Sequence, residues 1–134
     1  MAKIDSIEGI GAQFAEKLAS AGVATVEALL EKGATAKGRA ELVTATGVTD
    51  KLILRWVNHA DLFRIKGVAG QFSELLEAAG VDTVPELAQR NAENLQQALE
   101  ATNTEKNLAK TTPSLAQVSA WVAEAKTLPR VVQH

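Results

Sequence analysis

The chain has no cysteine, which excludes disulfides, thiolate zinc sites and thiol catalysis together and fits a reducing, cytoplasmic setting. Tyr is also absent, and aromatic residues make up only 4% of the 134 residues. β-Branched residues come in scattered ones and twos, so no stretch has the composition of a strand. No apolar run approaches the roughly 18 residues of a membrane span. The opening Met1-Ala-Lys-Ile-Asp5 lacks a charged-then-apolar leader, so neither membrane insertion nor export is expected. An excess of charge is missing too: the net charge is −2, and residues 1–63 and 64–134 have the same balance of acids and bases. A nucleic-acid coat usually carries a marked basic excess, because phosphate neutralisation dominates its affinity. Any nucleic-acid contact must therefore come from a local patch.

What is present is a duplication. Ile7-Glu-Gly-Ile-Gly-Ala-Gln-Phe-Ala-Glu-Lys-Leu-Ala-Ser-Ala-Gly-Val-Ala-Thr-Val26 recurs, 58 positions on, as the stretch from Ile65 to Val84. Ile7, Gly9, Gln13, Phe14, Glu16, Leu18, Ala21, Gly22, Val23, Thr25 and Val26 each meet an identical residue. The division expected is one repeat over 1–63, a second over 64–128, and a frayed tail over 129–134.

The apolar spacing is helical nearly throughout, so the fold class is all-α. A short helix over Lys3–Ile7 gives way to a turn at Gly9-Ile10-Gly11, then a helix over about Ala12–Ala21 ended by Gly22. Thr25 reads as an N-cap, and Gly33 as the stop of the helix that follows. Residues 34–38 read as a loop before a helix over about Gly38–Thr46 that Gly47 closes. Thr49 caps the longest predicted helix, Asp50–Phe63, whose core stripe is Leu52, Ile53, Trp56, Val57, Ala60 and Phe63. In the second copy the turn is Gly67–Gly70 and the helix Gln71–Ala79. Thr83-Val-Pro-Glu86 and Ser114-Leu-Ala-Gln117 have capping-box spacing, Asn91 is an N-cap, and Asn103 stands where Gly47 stood, as a left-handed cap. Trp121 takes the place of Trp56, and the helices bearing these two residues are expected to pack together into one pseudo-two-fold domain.

Ile7-x-Gly-Ile-Gly-x-x-Phe-Ala-x-x-Leu18 resembles the helix-hairpin-helix motif. Gly9, Ile10, Gly11 and Ala15 fill its places in the first copy, and Gly67, Val68, Ala69 and Ser73 in the second. The resemblance implies two tandem hairpins of the kind that straddle DNA without reading sequence, by contact with the phosphate backbone. Turn amides without bulky side chains, followed by the positive end of a helix, suit an anion. The run from Phe63 to Leu87, with Pro113-Ser-Leu115, Trp121 and Leu128-Pro129, is similar to the bacterial family catalogued as domain of unknown function 4332, which implies the same architecture and leaves the activity open.

Three departures from the motif bear on function. Glu8 and Lys66 replace the proline common before the first glycine, Ala69 replaces the second glycine in the second copy, and no Lys or Arg directly follows either turn. Glu8 and Asp5 would also repel phosphate from the first hairpin. The second hairpin is better supplied: Arg64 and Lys66 flank it, and Lys51, Arg55 and His59 recur at i, i+4 and i+8 on the preceding helix. The predicted phosphate site is Gly67, Val68, Ala69 and Gly70 with Arg64, Lys66, Arg55 and Lys51, and the partner a DNA or RNA backbone. The plainer alternative is that these are solvated charges.

No catalytic constellation, metal-ligand spacing or cofactor motif stands out, so a non-enzymatic binding module is expected. His59 reads as a surface or boundary residue. Leu54 and Leu62 fall off the core stripe of their helix, and Leu75 replaces the Lys17 of the first copy. Were they clustered, they would make a patch for a protein partner or for self-association, the second reading carried forward.

Overall fold

The computed structural model describes residues 2–134 and is all-helical. A 3₁₀ turn at Ile4–Ser6 precedes α1 (Ala12–Ser20), α2 (Val26–Lys32), α3 (Ala36–Thr46), α4 (Asp50–Leu62), α5 (Gly70–Ala78), α6 (Val84–Ala88), α7 (Ala92–Lys106) and α8 (Leu115–Ala125). The chain forms two compact units, Met1–Asp61 with Val131–His134, and Leu62–Arg130.

In the first unit, side-chain caps set two helix starts. The Thr25 hydroxyl accepts from the Ala28 amide at 3.0 Å, and the Thr35 hydroxyl from the Gly38 amide at 3.0 Å. Thr35 therefore starts α3 at Ala36, two residues earlier than the sequence predicts, and the expected loop at 34–38 shrinks to a tight junction. Gly38 is needed there, because a Cβ would lie 1.9 Å from the Lys32 carbonyl oxygen. Gly47 ends α3 in the left-handed conformation, as expected. Ile7, Leu18, Leu29, Leu42, Ile53 and Trp56 are buried, and α1 packs on α3.

In the second unit α8 packs against α6 and α7, and α5 against α7. Leu75, Leu76, Leu87, Leu99, Val118 and Trp121 belong to one buried cluster. Leu62 and Leu75 are part of that cluster and fully buried, so the partner patch expected from them does not form. Asn91 and Ser114 cap α7 and α8, the latter with a complete capping box to Gln117. Thr83 precedes α6, but its side chain accepts no capping hydrogen bond.

Asn103 is not a helix end. The helix continues to Lys106, making α7 longer than α4, and Asn107 takes the left-handed cap at φ 52°. Asn103 instead buries its amide and holds the following loop: Nδ2 donates to the Ala109 carbonyl at 3.1 Å, and Oδ1 accepts from the Ala109 amide at 2.9 Å. A short polar side chain can cap a helix or organise a loop, and the spare residues of the insertion let it do the second here.

The tail also differs from expectation. Residues 131–134 are counted with the first unit, and Val132 is buried. Among the described residues no helix is long and apolar enough to cross a membrane.

Candidate functional site: two glycine turns

Each unit contains the same backbone turn. In the first, the Ile10 amide closes on the Ile7 carbonyl at 3.1 Å, with Gly9 at φ 94°. In the second, the Val68 amide closes on the Ile65 carbonyl at 3.0 Å, with Gly67 at φ 88°. Ile7, Ile10, Ile65 and Val68 are buried, which pins the turn at both ends and pushes its two central residues outward.

A tryptophan lies under each glycine. A Cβ on Gly9 would meet Trp56 Nε1 at 3.5 Å, and one on Gly67 would meet Trp121 Nε1 at 3.4 Å. The indoles in turn pack on the phenylalanines of the following helices. Phe14 and Trp56 have centroids 5.1 Å apart, and Phe72 and Trp121 5.3 Å, both pairs tilted, a favoured aromatic arrangement. The positive φ is what favours glycine at each position, and the indole lies at ordinary contact distance from where a Cβ would be.

The helices after the turns start without a side-chain cap. Side chains cap α2, α3, α7 and α8, whereas α1 after Gly11, α5 after Ala69 and α6 after Thr83 have none. Their first-turn amides, at the positive end of the helix, are left to solvent or to a ligand.

The predicted site residues divide between the units. Gly67, Val68, Ala69, Gly70, Arg64 and Lys66 belong to the second unit, while Lys51 and Arg55 are exposed residues of α4 in the first. Gly67 and Ala69 are exposed and Gly70 half-buried. The Val68 amide is spent inside the turn, so it offers nothing to a ligand. Arg64 Nη2 donates to the Pro129 carbonyl at 2.7 Å. The Lys66 side chain is exposed, but its main-chain amide donates to Glu124 Oε1 at 3.0 Å. A carboxylate from α8 therefore already occupies part of the mouth of the turn.

Two neighbours of the site were not legible in the sequence. Glu124 lies 58 residues from Lys66, and nothing local marks it. Lys110 belongs to the loop organised by Asn103, and its amide donates to Gln71 Oε1 at 3.3 Å. That bond sets an exposed lysine's backbone against the first turn of α5. The loop's extra length was the one available signal.

His59, expected near the surface, is 1% exposed. From Trp56 to Leu62 every residue of α4 is buried, and a single apolar stripe cannot reveal burial on the other side of a helix. Among the described residues no group of three or more His, Asp or Glu side chains is placed to hold a metal. Apart from the turns, an open cavity of about 570 Å³ in the first unit is lined by Gly22, Glu31, Lys32, Thr35, Lys37 and Glu41 among others. Lys32 Nζ binds Glu41 Oε1 there at 2.8 Å and, with its charge, holds the Glu41 carboxyl below the usual carboxylate range.

No curated protein and no solved structure matches the chain. The model of the family described as Domain of unknown function (DUF4332) matches residues 8–128, nearly the whole chain, and the protein belongs to that family.

Proposed function

We propose that the protein is a non-enzymatic binding module built from two tandem helix-hairpin-helix units, which holds a nucleic-acid backbone without reading its sequence. The observation that carries this reading is the pair of uncapped helix starts. Like α6, the helices α1 and α5 begin without a side-chain cap, but α1 and α5 present their first-turn amides directly after a glycine turn. A phosphate oxygen is an acceptor suited to that geometry. At α5 the exposed Lys66 and Lys110 add positive charge, while Glu8 in the first turn opposes it. The second unit is therefore the main contact, and Ala69, Gly70 and Gln71 supply its amides, with Gly67 allowing close approach. Arg64 adds longer-range attraction, while Lys51 and Arg55 belong to the first unit.

Titration of a labelled DNA duplex at ~50 mM salt tests this, because backbone binding weakens steeply as salt rises. Binding that falls with salt, and falls further in Lys66→Glu/Lys110→Glu, supports the reading. Absence of binding at that salt, or an unchanged affinity in the double variant, rejects it.

One observation favours a second reading, a protein-binding scaffold on the same fold. Glu124 already satisfies the Lys66 amide, as it would if the turn served architecture alone. In that case the duplex titration is flat and the double variant keeps its fold.

A further inference from the structure

The far end of the chain is bound rather than loose. Gln133 has both main-chain groups engaged by the junction between α2 and α3. Its amide donates to the Ala34 carbonyl at 2.7 Å, and its carbonyl accepts from Arg39 Nη2 at 2.6 Å. The preceding Val132 is 2% exposed. The next residue follows suit, with His134 Nε2 lying 3.1 Å from Asn58 Oδ1.

Arg39 is the unusual member. It is buried, and its hydrogen-bond partners are the uncharged carbonyls of Gly33 and Gln133. Burying a guanidinium is costly, and packing α3 calls for no charge at this position. Its planar fork bridges two carbonyls, one on the α2–α3 junction and one on the incoming segment. Main-chain recognition on both sides of one residue, with a buried seat for the side chain before it, is how an extended peptide is held when strand-like pairing supplies the bonds.

We propose that the α2–α3 junction is a receptor for an extended peptide, with Arg39 and Ala34 reading its main chain and a buried seat for a β-branched residue one position earlier. In the chain at rest the occupant is its own Val131–His134. The ligand class is a short extended segment with Val132-like chemistry followed by a residue whose N–H and C=O are both free to pair. Tethering keeps the site filled, since an attached segment has a high effective concentration. A free peptide enters only when the attached one is weakened.

The test uses the whole 134-residue chain. A fluorescein-labelled peptide of the sequence Pro129–His134 is titrated against wild type, Val132→Asp, and Val132→Asp with Arg39→Met. Val132→Asp is expected to bind the peptide about tenfold or more tightly than wild type, and adding Arg39→Met is expected to abolish that gain. Equal binding to all three chains, or none to Val132→Asp while its helical circular dichroism is intact, overturns the proposal. Should Val132→Asp not fold, hydrogen exchange on the wild type decides. The Gln133 amide is expected to exchange about tenfold or more slowly than the exposed Arg130 amide. A Gln133 amide exchanging as fast as Arg130 overturns the proposal without any variant.

Discussion

Lys66 donates its main-chain amide to Glu124 Oε1 at 3.0 Å, and so a carboxylate from α8 sits in the mouth of the second glycine turn. The aligned position in the first turn is Glu8, an exposed acid. Both turns therefore carry a negative group near the amides that a phosphate would use. In the first the acid belongs to the turn itself, and in the second it comes from a distant helix.

That relationship makes Glu124→Gln informative. Glutamine keeps an oxygen for the Lys66 amide and removes the charge. Under the nucleic-acid reading, duplex affinity at ~50 mM salt should rise about threefold or more, an effect that fades at high salt. Fluorescence anisotropy measures it, and a scaffold with no nucleic-acid role would show no change.

Gly67→Ala should destabilise the second unit. The residue has φ 88° and its new Cβ would meet Trp121 Nε1 at 3.4 Å, so the left-handed backbone alone costs about 1–2 kcal/mol. Gly11→Ala is the control: φ is −83° and nothing lies within 4 Å of its Cβ. Its effect on urea unfolding should stay within about 0.5 kcal/mol.

Gly38→Ala should be costlier than its place in a helix suggests. Alanine normally favours helices, by about 1 kcal/mol over glycine. Here the added Cβ would lie 1.9 Å from a backbone oxygen, Lys32 O, which no rotamer change can move. Net destabilisation of about 1–3 kcal/mol is expected from the forced backbone shift. A lowered midpoint of thermal unfolding checks it, and a stabilised variant would contradict the close α2–α3 approach.

Trp121→Ala should cost about 3–5 kcal/mol, since it empties a buried site packed on Phe72. Leu115, on the same helix but 44% exposed, should tolerate alanine within about 0.5 kcal/mol. Chemical denaturation of the two variants separates the cases.

Glu41 should titrate below the ordinary carboxylate range, because the Lys32 ammonium bonds and attracts its charged form. Lys32→Met should return it toward the ordinary range, as followed by the side-chain carboxyl resonance in NMR. The sign follows from the depressed folded-state value. The contribution to stability is present above the unfolded pKa and is lost as pH falls through the folded one. Glu41 is exposed, so added salt should shrink the shift.

The residues themselves determined the helical class and many of the helix ends, because those depend on neighbours a few positions away. Thr25, Asn91 and Ser114 cap as their spacing predicts, Gly22, Gly47 and Gly80 take positive φ, and Trp56 and Trp121 fall on buried stripes. The glycine turns were legible for the same reason: a buried apolar residue at each end and a glycine between them describe the turn almost completely. Local rules failed where a side chain had two possible partners. Asn103 chose a loop over a helix end, and the Thr83 side chain left α6 uncapped.

Only the tertiary structure decided what surrounds the candidate site. Glu124 on the Lys66 amide, Lys110 beside Gln71, and Gln133 on Ala34 and Arg39 are contacts between residues from 39 to 99 positions apart. Burial of Leu62, Leu75 and His59 was hidden likewise. Periodicity reports which face of a helix is apolar, but burial and electrostatic company are set by whatever packs against the other faces, and that is a property of the folded chain alone.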